Sequence, residues 1–151
     1  MLLRQLVLST DFWPRGLGAT YGPEARTNTA NVNAYAARYA RAAGAAGWER
    51  GLLTFVAARA EQVVGAALSG ESLEARLAHA LASDAPLDRV LIINGAADPI
   101  VPVANARRLA GNLRAAAPAA VIEFVAVAGA GHCPHEEGDV AREIGRVIAK
   151  F

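Results

Sequence analysis

Two patterns of hydrophobic positions alternate along the second half of the chain. Val90–Ile93 is a continuous apolar run, which is typical of a parallel strand covered on both faces. The apolar positions of residues 103–113 recur at helical spacing, and residues 121–127 form a second β-prone run. A final apolar stripe covers residues 140–151, with Asp139 as its expected N-cap. The order strand, helix, strand, helix predicts a parallel α/β arrangement.

The first half of the chain is predicted to be mostly helical. Residues 5–9 are a short apolar, β-prone run, which predicts a buried strand at the start. Residues 11–28 contain several glycines and prolines and are predicted to be a loop. Apolar residues then recur at helical spacing over residues 29–82, with breaks at 44–47 and 69–70, so three helices are expected there.

The composition narrows the class of protein. At 151 residues, with 54% hydrophobic and 19% charged positions, the chain is long and apolar enough for one globular domain. Its 15 basic and 14 acidic residues give a net charge of +1. Because these charges are spread along the chain, no basic face for nucleic acid is predicted, and the expected partner is a small, uncharged or mildly polar ligand.

No leader or membrane segment is predicted. Arg4 interrupts the apolar N-terminal run, and no small-residue cleavage site follows it. Residues 52–68 are apolar but contain Arg59 and Glu61, which a membrane-spanning helix would rarely carry together. The single Cys133 can form no internal disulfide, so it is expected to be a small buried hydrophobe, and a cytoplasmic location is expected.

Two loops carry the residues that suggest chemistry, and each follows a predicted strand. Asp98 lies in the loop of residues 94–102, and His132 lies in the loop of residues 128–136. Because adjacent parallel strands end at the same edge of a sheet, the two loops are expected to lie side by side. The Asp98 carboxylate could then accept a hydrogen bond from the His132 ring, fix its tautomer and stabilise the imidazolium formed in general-base catalysis.

The same loops resemble the C-terminal region of α/β-hydrolase fold enzymes. There, a strand leads into a Gly-x-x-Asp-x-x-x-Pro loop, and a later Gly-x-Gly-His loop precedes the final helix. The order acid before base also matches the serine, aspartate, histidine order of that family. The matching residues are Gly95, Asp98 and Pro102 for the first loop, Gly129, Gly131 and His132 for the second, and Cys133-Pro134-His135-Glu136-Glu137, which resembles esterase-like members.

This resemblance implies an incomplete α/β-hydrolase fold, with a parallel sheet of about three strands flanked by helices and a helical cap insertion. Residues 1–10 and 83–151 would form the C-terminal portion of the core, and residues 11–82 would form the cap. The resemblance further implies that Asp98 and His132 are the acid and base of a catalytic triad. The implied reaction is hydrolysis of an apolar ester or related acyl compound through a serine ester intermediate, without a metal or organic cofactor.

The nucleophile of such a triad is missing from these 151 residues. The family's Gly-x-Ser-x-Gly turn does not occur, because the neighbours of the serines are of other types. A base without a nucleophile and an oxyanion hole loses almost all of its acceleration. We therefore expect the chain to be part of a longer parent and to be inactive alone. The serines concerned are Ser9, Ser69, Ser72 and Ser83.

The residues around His132 also allow two other kinds of site. Imidazole, thiolate and carboxylate groups all ligate zinc, but His132 and Cys133 are adjacent and no second distant cluster completes a ligand set. Gly129 and Gly131 could open a dinucleotide-binding turn, although Pro134 stands where the third glycine belongs. The residues considered for zinc are His132, Cys133, His135, Glu136 and Glu137.

Structural roles are the simplest alternatives for the two main residues. Asp98 precedes a proline and could cap a turn, and His132 could close a glycine turn. His79 lies among alanines and leucines, where a structural role is the default.

The alternative hypothesis for the whole chain is that it is a non-catalytic relative of the hydrolases, which binds a small molecule or a protein partner.

Overall fold

The fold is mixed α/β and mostly helical, as seen in a computed structural model that describes residues 2–70, 72–83 and 88–151. A run of helices precedes a strand, helix, strand, helix unit. The helices and strands are α1 (Leu2–Val7), α2 (Phe12–Thr20), α3 (Thr29–Gly44), α4 (Trp48–Ser69), α5 (Leu73–Ala82), β1 (Arg89–Gly95), α6 (Val103–Ala116), β2 (Val121–Val127) and α7 (Asp139–Lys150), with short 3-10 turns at Ala25–Thr27 and Pro134–Glu136.

The strands β1 and β2 pair in parallel, with Arg89 opposite Val121 and Gly95 opposite Val127. Because successive side chains of a strand point to opposite faces, both faces of this sheet need a cover. Helices α5 and α6 cover one face around the fully buried Leu113. Helix α7 covers the other face through Ile144. The continuous apolar run of β1 therefore packs on two sides.

A second core joins α2 to α3 and reaches the loop after β2. Tyr21 is fully buried there, and Trp13 stacks on Tyr39 with ring centroids 5.0 Å apart. Cys133 packs against the same cluster, so its surroundings are those of a small half-buried hydrophobe. The buried members of this core are Leu17, Tyr21, Val32 and Ala36.

The helical block and the two strands of the second half are confirmed. The breaks between α3, α4 and α5 fall at the predicted glycines. Two of these helices begin at N-caps, because Asn28 and Ser72 accept hydrogen bonds from the amides of Asn31 and Ala75, each over 3.1 Å. The mixed α/β class with a parallel sheet is thus correct.

Two predictions about local structure were wrong. Residues 5–9 do not form a strand, since Leu2–Val7 is a helix, rich in leucine, arginine and glutamine, which have good helix propensity. Its Arg4 guanidinium donates to the Gly44 carbonyl oxygen over 2.8 Å, which ties the helix to the end of α3. Part of the predicted loop is the helix α2, because Pro14 lies in its first turn, where no backbone donor is needed.

The number of strands and the last N-cap also differ from expectation. The described residues contain a sheet of two strands, where about three were predicted. Gly138, with a φ of 62°, occupies the N-cap of α7, and Asp139 instead pairs with Arg142 one turn later. Residues 84–87, near the start of the segment 83–151 assigned to the core, lie outside the described residues. Within the described ranges, no helix combines the length and the apolar character needed to cross a membrane.

Candidate functional site

Asp98 lies just beyond the carboxyl end of β1, and its two carboxylate oxygens have different partners. Oδ1 accepts hydrogen bonds from the amides of Ile100 and Val101, over 2.8 and 2.9 Å. These bonds close a tight turn of the kind that Asp favours, and they orient the carboxylate so that Oδ2 faces the neighbouring loop. The side chain is only 5% exposed. The turn-capping role and the contact with the neighbouring loop therefore coexist.

His132 lies beyond the end of β2, and its ring meets this second oxygen. Nδ1 is 3.0 Å from Asp98 Oδ2. Because a carboxylate only accepts, this contact favours the tautomer with the proton on Nδ1 and leaves the lone pair on Nε2. The His132 side chain is 38% exposed. The arrangement is a buried acid holding a partly exposed histidine ring.

The pKa of Asp98 has opposing causes. Burial raises it, but hydrogen bonds from the Val101 amide, the His132 ring and the Ile100 amide outweigh burial, so that the pKa lies below the ordinary value of 3.8. An ionised Asp98 is the state that accepts from His132 and stabilises a charged imidazolium. The geometry therefore suits transfer of a proton to and from Nε2, the ring nitrogen that does not contact Asp98.

Close backbone contacts hold the two loops together. The Ala97 amide donates to the Ala130 carbonyl oxygen over 2.8 Å, and the Ala96 amide donates to Val127 over 2.9 Å. A Cβ atom on Gly95 would stand closer than 3.0 Å to backbone atoms of the His132 loop. Gly95 is therefore required by the close approach of two backbones, which gives a physical reason for a glycine at the end of this strand.

A buried glutamate connects the His132 loop to the helical block. Glu136 accepts from the hydroxyl of Tyr21 over 2.8 Å and from the hydroxyl of Tyr39 over 2.7 Å. Burial and then these contacts with Glu136 raise the pKa of Tyr39 to about 12 and raise that of Tyr21 further. Both phenols therefore remain donors at neutral pH.

Glu137, the residue after Glu136, is also buried, with 3% of its surface exposed. It accepts from the Gly22 amide over 2.9 Å and from the Gly131 amide over 3.0 Å. The next amide, that of His132, donates to the Thr20 carbonyl oxygen over 2.8 Å. The backbone that leads into His132 is thus held by Glu137 and by the end of α2.

These hydrogen bonds also involve two of the residues considered as zinc ligands. Glu136 and Glu137 already accept hydrogen bonds from phenols and amides, and burial raises the pKa of the Cys133 thiol. Across the described ranges, no three His, Cys, Asp or Glu side chains are grouped so as to hold a metal ion.

The structure brings together the two residues that the sequence singled out and adds several that it did not. Asp98 and His132 are in contact, whereas His79 is exposed on α5, away from them. The roles of Tyr21, Tyr39 and Gly22 were missed, because they are more than 90 residues away from the loop they contact. The only sequence signal was the pair of acidic residues after His132, which had no obvious partner.

Comparisons of this chain with protein families, with curated proteins and with solved structures found no match. The resemblance to α/β-hydrolases therefore rests on the residues of the two loops and on their order.

Proposed function

We propose that Asp98 and His132 are the acid and base of a hydrolase of the α/β-hydrolase type. The observation that carries the proposal is the 3.0 Å contact between His132 Nδ1 and Asp98 Oδ2, made by a buried carboxylate and a ring that remains accessible. In this role His132 Nε2 takes the proton of a hydroxyl nucleophile and returns it to the leaving group. Asp98 holds the ring in the required tautomer and stabilises its charged form.

The chemistry needs a nucleophile that the described residues do not supply. Three serine hydroxyls form local bonds: Ser9 and Ser83 donate to carbonyl oxygens of their own helix ends, and Ser72 caps α5. No described hydroxyl is hydrogen-bonded to the His132 ring. In the proposal, a serine in a Gly-x-Ser-x-Gly turn of another segment attacks an apolar ester or related acyl compound.

The experiment asks whether a serine activated by His132 forms a covalent adduct. The reading frame before the Met1 codon is sequenced for a Gly-x-Ser-x-Gly segment, and the joined polypeptide is treated with an activated-ester probe. Intact-mass spectrometry then follows the adduct. We expect His132→Gln to slow labelling by about 10²-fold or more, since this is the usual contribution of a general base. Asp98→Asn should also slow it strongly, because the ring loses its tautomer control.

A matched control is available three residues further along the chain. His135 is 69% exposed and lies outside the dyad, so His135→Gln should label at the wild-type rate. Labelling that does not depend on His132 would contradict the proposal. A Gly-x-Asp-x-Gly segment in place of the serine turn would replace the esterase assignment by another hydrolase class.

A second candidate function is binding without catalysis. Two cavities of about 270 and 240 Å³ occur in the described part of the chain, and neither is lined by Asp98 or His132. In addition, α4 exposes large apolar side chains, of which Leu68 is 84% exposed. Such a surface suits a partner. A stable, monodisperse and unreactive protein, with no nucleophile segment in its gene, would favour this candidate.

A further inference from the structure

We propose that Glu137 is a positioning residue that holds His132 in register with Asp98. This inference rests on the proposed function of the two residues. Glu137 lies just before α7, and its carboxylate contacts two other segments. These are the chain after α2, through the Gly22 amide, and the His132 loop, through the Gly131 amide. Few polar groups in the described structure are as fully enclosed, since Glu137 is 3% exposed.

The Gly131 amide connects Glu137 to the His132 loop. It points at both oxygens of Glu137, each 3.0 Å away, and it belongs to the peptide that joins Ala130 to Gly131. The His132 amide is held by Thr20 over 2.8 Å. These two peptides flank the Gly131 Cα, so together they fix the backbone that leads directly into His132. This anchoring favours the loop conformation in which the His132 ring contacts Asp98.

The backbone at Gly131 has no room to move toward the end of α2. A Cβ atom on Gly131 would stand closer than 3.0 Å to the backbone of Thr20 and Gly22, so the loop lies directly against the end of α2. A glycine here lets the backbones approach until the Glu137 carboxylate can bridge the amides of Gly22 and Gly131. The bridge therefore couples the helical block to the position of His132.

Glu137 and Glu136 differ in what they accept, and this difference provides a matched control. Backbone amides only donate, and the Gly131 amide is 3.0 Å from both Glu137 oxygens, so a glutamine at 137 would place its NH₂ group against this buried donor in either orientation. Tyrosine hydroxyls both donate and accept, so a glutamine at 136 can accept from one phenol and donate to the other. The two substitutions are equal in size and adjacent, but only Glu137→Gln should disturb His132.

The test is NMR of the ¹⁵N-labelled chain. The ¹⁵N shifts of the His132 ring report its tautomer, and exchange of the Nδ1 proton with water reports how often the contact with Asp98 opens. Loss of one hydrogen bond that orders the loop should speed this exchange by about tenfold in Glu137→Gln. Glu136→Gln should exchange like the wild type, and far-UV circular dichroism checks that both variants are folded.

The outcomes separate this inference from the proposed function. A wild type without the Nδ1-protonated tautomer would refute the dyad itself, and the inference with it. A wild type with that tautomer and an unchanged Glu137→Gln would overturn only the role of Glu137. Equal acceleration in both variants would also overturn it, because general loosening of the loop would then suffice.

A measurement on the unmodified chain covers the case in which Glu137→Gln does not fold. The amides of Gly22 and Gly131 should exchange with deuterium at least about tenfold more slowly than the amide of the exposed Gly138, because both are buried and bonded to Glu137. Fast exchange at Gly131 would contradict the proposed bridge. Glu137→Asp, which keeps a carboxylate but shortens its reach, should lie between wild type and glutamine in Nδ1 proton exchange.

Discussion

Gly95→Ala is the substitution that most directly probes how the Asp98 loop and the His132 loop are joined. The added Cβ atom would stand closer than 3.0 Å to the Ala130 carbonyl carbon and to the carbonyl oxygens of Ala130 and Gly131. Favourable contacts between such atoms begin at about 3.5 Å, so the end of β1 and the His132 loop must separate. The atoms met are all backbone, so no side-chain rotation can relieve the contact.

The expected magnitude follows from two opposing effects. Overpacking of this kind costs about 1–3 kcal/mol, and the rigid surroundings favour the upper end of that range. Replacing glycine reduces the entropy of the unfolded chain, which offsets about 0.4–1 kcal/mol. We therefore expect Gly95→Ala to lower the free energy of unfolding by about 2 kcal/mol. The widened gap should also weaken the contact between Asp98 and His132.

Urea denaturation followed by circular dichroism measures this difference, and Gly111→Ala is the control. Gly111 is exposed inside α6, and nothing lies within 4 Å of its added Cβ, so alanine there should raise the free energy of unfolding. The expected gain is about 0.5–1 kcal/mol from helix propensity alone. If Gly95→Ala were as stable as the wild type, the close approach of the two loops would be wrong as described.

Three further predictions concern the core and the titrating groups. Leu113→Ala should lower the free energy of unfolding by about 2–5 kcal/mol in urea titrations, because this fully buried side chain lies between the sheet and α5; a loss below 1 kcal/mol would contradict that packing. The lowered pKa of Asp98 means that its ionised form stabilises the fold above pH 3.8, and that this contribution is lost as the pH falls further. The difference in unfolding free energy between wild type and Asp98→Asn should therefore shrink in acid, and a difference that stays constant with pH would count against the ionised pair. The pKa of Tyr39 is raised from 10.0 to about 12, so stability should fall as the pH rises through that interval, and Tyr39→Phe should lose less over the same alkaline titration; equal losses would argue against the buried phenol.

Local patterns in the sequence determined much of the secondary structure. The three helices of residues 29–82 and both strands follow from apolar spacing and from glycine breaks, which act over a few residues. The strand order also predicted that Asp98 and His132 would lie at one edge of the sheet, because parallel strands share the edge at which they end. These inferences succeeded because each depends on short-range or topological rules.

The errors fell where local propensity was ambiguous. A short apolar run such as residues 5–9 suits a strand or a helix equally, and the described structure offers it no neighbouring strand, so its backbone bonds are made within a helix. The breakers in residues 12–20 do not prevent a helix, because proline in a first turn removes no required donor. Only packing decides such cases.

Tertiary structure alone decided what surrounds the two predicted residues. Glu136 and Glu137 are separated from their partners Tyr21 and Gly22 by more than 110 positions, and no local pattern links groups at that distance. Their pairing arises because the end of α2 approaches the loop after β2, where buried carboxylates require donors. The sequence by itself determined which acid and base could meet; the fold determined how firmly they are held, since a hydrogen bond between distant segments exists only once both are packed.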